Sequence, residues 1–162
     1  MKPKNALLAL AAAALLAACG GGDTAASDAD PGELIQQGKI DEAVEVIEGR
    51  LATVEKGTAD EHDLVLDHAD ALSYSDPAKA QKTFLNFAGA NASLVTPKDF
   101  KYVVSSLRTQ DAFAEAIDVM HAGKQRWPED AEMVELLELI KADVLKAADP
   151  ALAAKMKGLG YM

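Results

Sequence analysis

The 162-residue chain predicts an all-α fold: antiparallel helical hairpins stacked as a short solenoid with a C-terminal capping helix. Three observations predict it. Prolines follow good capping residues at Asp30-Pro31, Asp76-Pro77, Thr96-Pro97 and Asp149-Pro150. Proline at the first helical position forfeits no intrahelical hydrogen bond, and the preceding Asp or Thr accepts from free amides of the first turn. Between these starts the apolar residues recur at helical spacing, and no alternating pattern of strand type competes. Finally, a small residue flanked by larger apolar ones returns at Ala43, Ala80 and Ala116, steps of 37 and 36 residues.

Residues 1–18 are a segment of another kind. A basic start (Lys2, Lys4), an apolar run from Ala6 to Ala18 and small residues before a cut are the three parts of a secretory signal. As a helix the run spans roughly 20 Å, short of the ~30 Å hydrocarbon core of a bilayer, so it does not read as a membrane span. It closes on Leu16-Ala17-Ala18-Cys19, followed by Gly20, which resembles the lipobox of bacterial lipoproteins. The resemblance implies that the Cys19 thiol becomes a diacylglyceryl thioether, that the chain is cut before Cys19, and that the new amine is acylated. Each buried CH₂ contributes about 0.8 kcal/mol, so two or three acyl chains anchor the protein durably. It also implies a place in the cell envelope. The outer membrane is favoured where the host has two, because Gly20 and not Asp follows the cysteine.

Cys19 is the single cysteine, so no internal disulfide is available even in an oxidising compartment, and stability must come from packing. Loss of Lys2 and Lys4 with the signal takes the formal net charge from -10 to -12. That balance argues against nucleic acid, whose binding requires Lys and Arg to neutralise phosphates, and against broad contact with anionic lipid. Residues 19–30 are the lipidated cysteine and a tether. Gly20 to Asp30 has no large apolar side chain and reads as a flexible linker with a root-mean-square span of roughly 18 Å. Residues 31–162 are the helical domain, long enough for one ordinary core.

Within that domain the sequence predicts helices over 31–37, 40–54, 60–73, 77–89, 97–108, 112–126, 130–147 and 150–157. Asp30/Glu33 and Thr58/Glu61 have the spacing of a capping box, and Asp99 follows Thr96 in the same way. The core stripes are Ile40, Ala43, Val44, Ile47, Leu51 and Val54, then Phe100, Val103, Val104 and Leu107. Phe113, Ala116, Ile117 and Met120 continue them, followed by Met133, Leu136, Leu137, Ile140 and Val144. Trp127 is expected to plug the junction before the last long helix. Tyr161 and Met162 are expected to fold back on the core.

Ala43, Ala80 and Ala116 are each preceded at minus three by Ile40, Pro77 and Phe113 and followed at plus four by Ile47, Phe84 and Met120. Gly38-Lys39-Ile40-Asp41-Glu42-Ala43, with Pro128 twelve residues after Ala116, resembles the helix pair of tetratricopeptide (TPR) repeat proteins. The resemblance covers residues 31 to about 145, and it implies a stack of helix pairs whose final helices cap the array. An irregular bundle of helical hairpins without a superhelix would carry the same stripes.

No catalytic constellation, metal site or cofactor motif stands out. The chain has no Gly-rich phosphate loop, no nucleophile elbow and no His-Glu-x-x-His. His68 and His121 sit at core edges by spacing. Asp63, Asp67 and Asp70 beside His62 form a carboxylate row along one helix, which reads as a solvated face, since calcium sites wrap a loop around the ion. Glu132, Glu135 and Glu138 read the same way. In TPR proteins the first helix of each pair lines the binding side, and the matching positions here are Lys98, Lys101, Ser105 and Arg108. The expected function is therefore a membrane-anchored adaptor or scaffold, not an enzyme, whose partner is an envelope protein presenting an acidic segment. The alternative is an auxiliary factor of cell-wall or envelope polymer metabolism that contacts a glycan or an enzyme.

Overall fold

The structure, a computed structural model, describes residues 29–162. Cys19, the lipobox and nearly all of the tether lie outside the described residues. The described chain is eight α-helices: α1 (Pro31–Gln36), α2 (Ile40–Leu51), α3 (Ala59–Ser75), α4 (Pro77–Ala90), α5 (Pro97–Thr109), α6 (Phe113–Arg126), α7 (Ala131–Ala147) and α8 (Pro150–Gly158).

The helix starts follow the expected chemistry. The Asp30 carboxylate accepts from the amides of Gly32 and Glu33, Asp76 from Lys79, Asp130 from Glu132 and Met133, and Asp149 from Ala151. At α5 the Thr96 amide donates to Asp99 Oδ2 at 2.6 Å, which closes the capping box. Thr58 accepts from the Glu61 amide, but the Glu61 carboxylate turns back to the Gly57 amide at 2.6 Å, one residue earlier than the box predicts. Two helix ends differ from expectation. α2 stops at Leu51, not near Val54, because the Thr53 hydroxyl and the Lys56 ammonium take up the carbonyls of Arg50 and Leu51. α3 runs on to Ser75 and meets Asp76, which must serve as the cap of α4.

The repeat has a backbone counterpart. Gly38 and Asp111 each lie five residues before the small Ala of the next helix, and both are left-handed, with φ of 74° and 55°. Glycine takes this conformation without strain, and Asp is among the few other residues that tolerate it. Ser75, at the equivalent place before Ala80, stays helical, so the α3–α4 turn is tighter. Ala43, Ala80 and Ala116 are all fully buried. Gly123, two turns further along α6 than Ala116, marks a close approach: a Cβ there would lie 2.7 Å from Met133 Sδ and 2.9 Å from the Phe100 ring.

Every helix packs only against helices one or two places away along the chain. The main core runs from Val65 to Met156 and is centred on Phe84, Phe100, Leu107, Ile117, Met120, Leu136 and Ile140; a smaller one gathers Leu34, Ala43, Val46, Ile47 and Ala71. Phe84 meets Phe100 edge to face at 4.8 Å, and Phe100 meets Trp127 at 5.5 Å, so Trp127 does plug the junction before α7. Of the tail, Tyr161 folds back, its hydroxyl 2.7 Å from His121 Nδ1, whereas Met162 stays exposed.

Polar links between successive pairs join residues roughly one repeat apart. Gln81 bonds Asp118, Ser106 bonds Asp70, Lys101 bonds Glu135 and Arg108 bonds Asp143. The last two links ascend both helices together, so α5 and α7 run parallel.

His68 is buried, at 5% exposure, with neither ring nitrogen hydrogen-bonded and Glu48 at 3.4 Å. Burial lowers its pKa below the ordinary 6.5, against the pull of Glu48. A depressed pKa means that the unfolded chain binds the proton more readily, so the stability held above about pH 6.5 is lost as pH falls through the unfolded value. The thermal midpoint should drop between pH 7 and 5, and His68→Leu should flatten that drop. An identical slope in both proteins would contradict this role.

Candidate functional site

Lys98, Lys101, Ser105 and Arg108 lie along one side of α5 as the spacing demands, but the charges of Lys101 and Arg108 are met from within the chain. Lys101 Nζ is 3.0 Å from Glu135 Oε2 on α7, and that bond raises the ammonium pKa above its ordinary value. Arg108 Nε donates to Asp143 Oδ2, also on α7. The Ser105 hydroxyl turns inward along its own helix and donates to the Lys101 carbonyl at 2.7 Å. Lys98 is exposed and has no ion pair among the described residues. The stripe is thus a seam stitching α5 to α7. At its Arg108 end a cleft of about 330 Å³ opens between Arg108, Asp111, Asp143 and Lys146.

Glu135 and Glu138 keep the exposure of a solvated face, at 60% and 65%, although each is paired, and Glu132 departs from it. Glu135 faces α5 and Glu138 pairs with Lys141 at 2.8 Å. The Glu132 Oε2 atom is buried without a hydrogen-bond partner.

The α3 side of α5 is different. Asp67, Asp70 and Tyr74 follow one another on α3, and Tyr102 and Ser106 face them from α5. The Ser106 hydroxyl donates to Asp70 Oδ1, and the Tyr102 hydroxyl lies against the same carboxylate. Burial, followed by the charges of Asp70 and Asp67, pushes the Tyr102 phenol well above its usual range. Partial burial raises the Asp67 pKa, reinforced by Asp70, Asp63 and Asp30 and offset in part by Arg50. Tyr74 and Tyr102 remain 47% and 43% exposed. The carboxylate row is therefore only partly solvated, since Asp70 is tied across the seam.

Asp63 points away to His62 Nδ1 at 3.1 Å, and His62 Nε2 is 3.3 Å from Asp99. Among the described residues no three such side chains gather as a metal site. None of their helices is long and apolar enough to cross a membrane.

Sequence reasoning passed over Tyr74 and Tyr102. The signal was available: Tyr102 lies one turn from both Lys98 and Ser106, off the Phe100/Val103/Leu107 core stripe, so an aromatic ring there has to face outward. No family model, curated protein or solved structure matches the chain.

Proposed function

We propose that the protein is a lipid-anchored adaptor of the bacterial envelope, in the outer membrane where the host has two, built as a short TPR-like solenoid that binds another envelope protein. One observation carries the binding reading. Three parallel-ordered first helices, α3, α5 and α7, are tied side by side through polar links, and this continuous face leaves Tyr74 and Tyr102 exposed. Aromatic side chains that offer large rigid area are the usual anchors of protein interfaces.

Nearest-neighbour packing and repeat-spaced links support the solenoid, because such stacks hold each unit only through its neighbours. The lipobox resemblance at Cys19 supports the anchor. The net charge supports a protein partner over nucleic acid. An acidic partner segment would have to displace Glu135 and Asp143 from Lys101 and Arg108 before using the α5 stripe.

Affinity capture from solubilised membranes tests the reading. The tagged wild type should retain a defined envelope polypeptide, and Tyr74→Ala/Tyr102→Ala, which removes the two exposed rings, should lose it while remaining folded by circular dichroism. Retention by the double variant at wild-type yield would contradict binding through this face.

A further inference from the structure

We infer that the Tyr74–Tyr102 face of α3 and α5 docks a basic segment of its partner, one that presents Lys or Arg side chains. The inference rests on the adaptor reading and gives the partner its charge.

It starts from what the face leaves open. Tyr74 on α3 and Tyr102 on α5 flank the Asp70–Ser106 link and remain nearly half exposed, at 47% and 43%, in a region where the core positions of the same helices are closed. Phe100, Val103, Val104 and Leu107 of α5 and Ala69 and Leu72 of α3 are at most 3% exposed.

Charge then selects the occupant. Of the cations along α5, Lys101 and Arg108 are directed to α7 and held by Glu135 and Asp143, which leaves the single charge of Lys98, one turn before Tyr102, against those of Asp63, Asp67 and Asp70. The carboxylates of Asp67 and Asp70 lie on the tyrosine side, and their field is strong enough to weigh on both Tyr102 and Asp67 itself. Arg50 offsets part of that field at Asp67. A second copy of this chain, with a net charge of -10 over the whole sequence, would be repelled. So would an anionic lipid surface or the tether, whose ionised side chains are Asp23, Asp28 and Asp30.

A guanidinium or ammonium suits the place on two grounds. It can lie over a tyrosine ring, an interaction worth more as the pair is desolvated. It can also donate charge-assisted hydrogen bonds to the adjacent carboxylates, which relieves the repulsion among Asp63, Asp67 and Asp70.

The test is fluorescence anisotropy of the full chain with labelled oligo-arginine and oligo-glutamate peptides. Oligo-arginine should bind the wild type, and Tyr102→Ala/Asp67→Asn should weaken it about tenfold or more, as loss of a ring contact and a charge-assisted bond implies. The control Glu45→Gln/Glu129→Gln removes two exposed charges elsewhere and should change affinity less than about twofold, since diffuse surface charge is screened beyond a Debye length. Removing a carboxylate with a raised pKa should leave the Asp67→Asn protein as stable as the wild type or more so at neutral pH, so weakened binding is separable from unfolding.

Equal weakening in both variants would mean attraction by net charge alone and would overturn the inference. So would the absence of oligo-arginine binding. Tighter oligo-glutamate binding that the Tyr102 variant abolishes would overturn the basic partner while leaving the adaptor reading intact.

Discussion

Phe84→Ala is expected to remove about 3–5 kcal/mol of stability, the usual cost of emptying a buried aromatic site. Phe84 is fully buried and its edge meets Phe100 at 4.8 Å, which in turn holds Trp127. Three aromatic rings thus carry the packing from α4 through α5 to the turn before α7. Domains of this size hold about 5–15 kcal/mol in all, so the variant should sit close to its unfolding threshold.

The urea midpoint followed by circular dichroism measures the loss. Ala116→Leu, which overpacks a fully buried position, should cost a further graded amount of about 1–3 kcal/mol. Ala151→Leu, on an exposed position of α8, should stay within about 0.5 kcal/mol of the wild type. A Phe84→Ala loss no larger than that of Ala151→Leu would contradict the packing described.

The second large effect concerns the anchor and is all-or-none. Labelled palmitate should enter the wild-type protein and not Cys19→Ala, which should accumulate with its first 18 residues uncut. The reason is chemical: the thioether requires the thiol, and no second cysteine can replace it. Equal labelling of the two proteins would remove the lipid anchor from the account.

Helix positions were the most legible part of the fold, because the signals that set them are local. Asp30, Asp76, Asp130 and Asp149 cap the helices that their spacing to the following residues announces. The α5, α6 and α7 stripes are buried almost residue for residue, with only Phe113 left partly open. Less legible were features decided across the fold. Nothing near Gly123 in the sequence says that Phe100 and Met133 press against it. Spacing alone places Lys98, Lys101, Ser105 and Arg108 on one side of a helix. It does not reveal the pairing of Lys101 and Arg108, because Glu135 and Asp143 lie 34 and 35 residues downstream and only packing of α7 on α5 brings them within reach. The carboxylate row shows the same limit: Asp70 belongs to α3 in sequence and to the α3–α5 seam in space.

A photo-crosslinking residue placed at Tyr102 and, separately, at Asn86 on the exposed side of α4 tests the adaptor account most directly when the membranes of living cells are irradiated. The account predicts a discrete adduct with one envelope polypeptide from position 102 and none from position 86. Adducts of equal yield from both positions, or from position 86 alone, would contradict it.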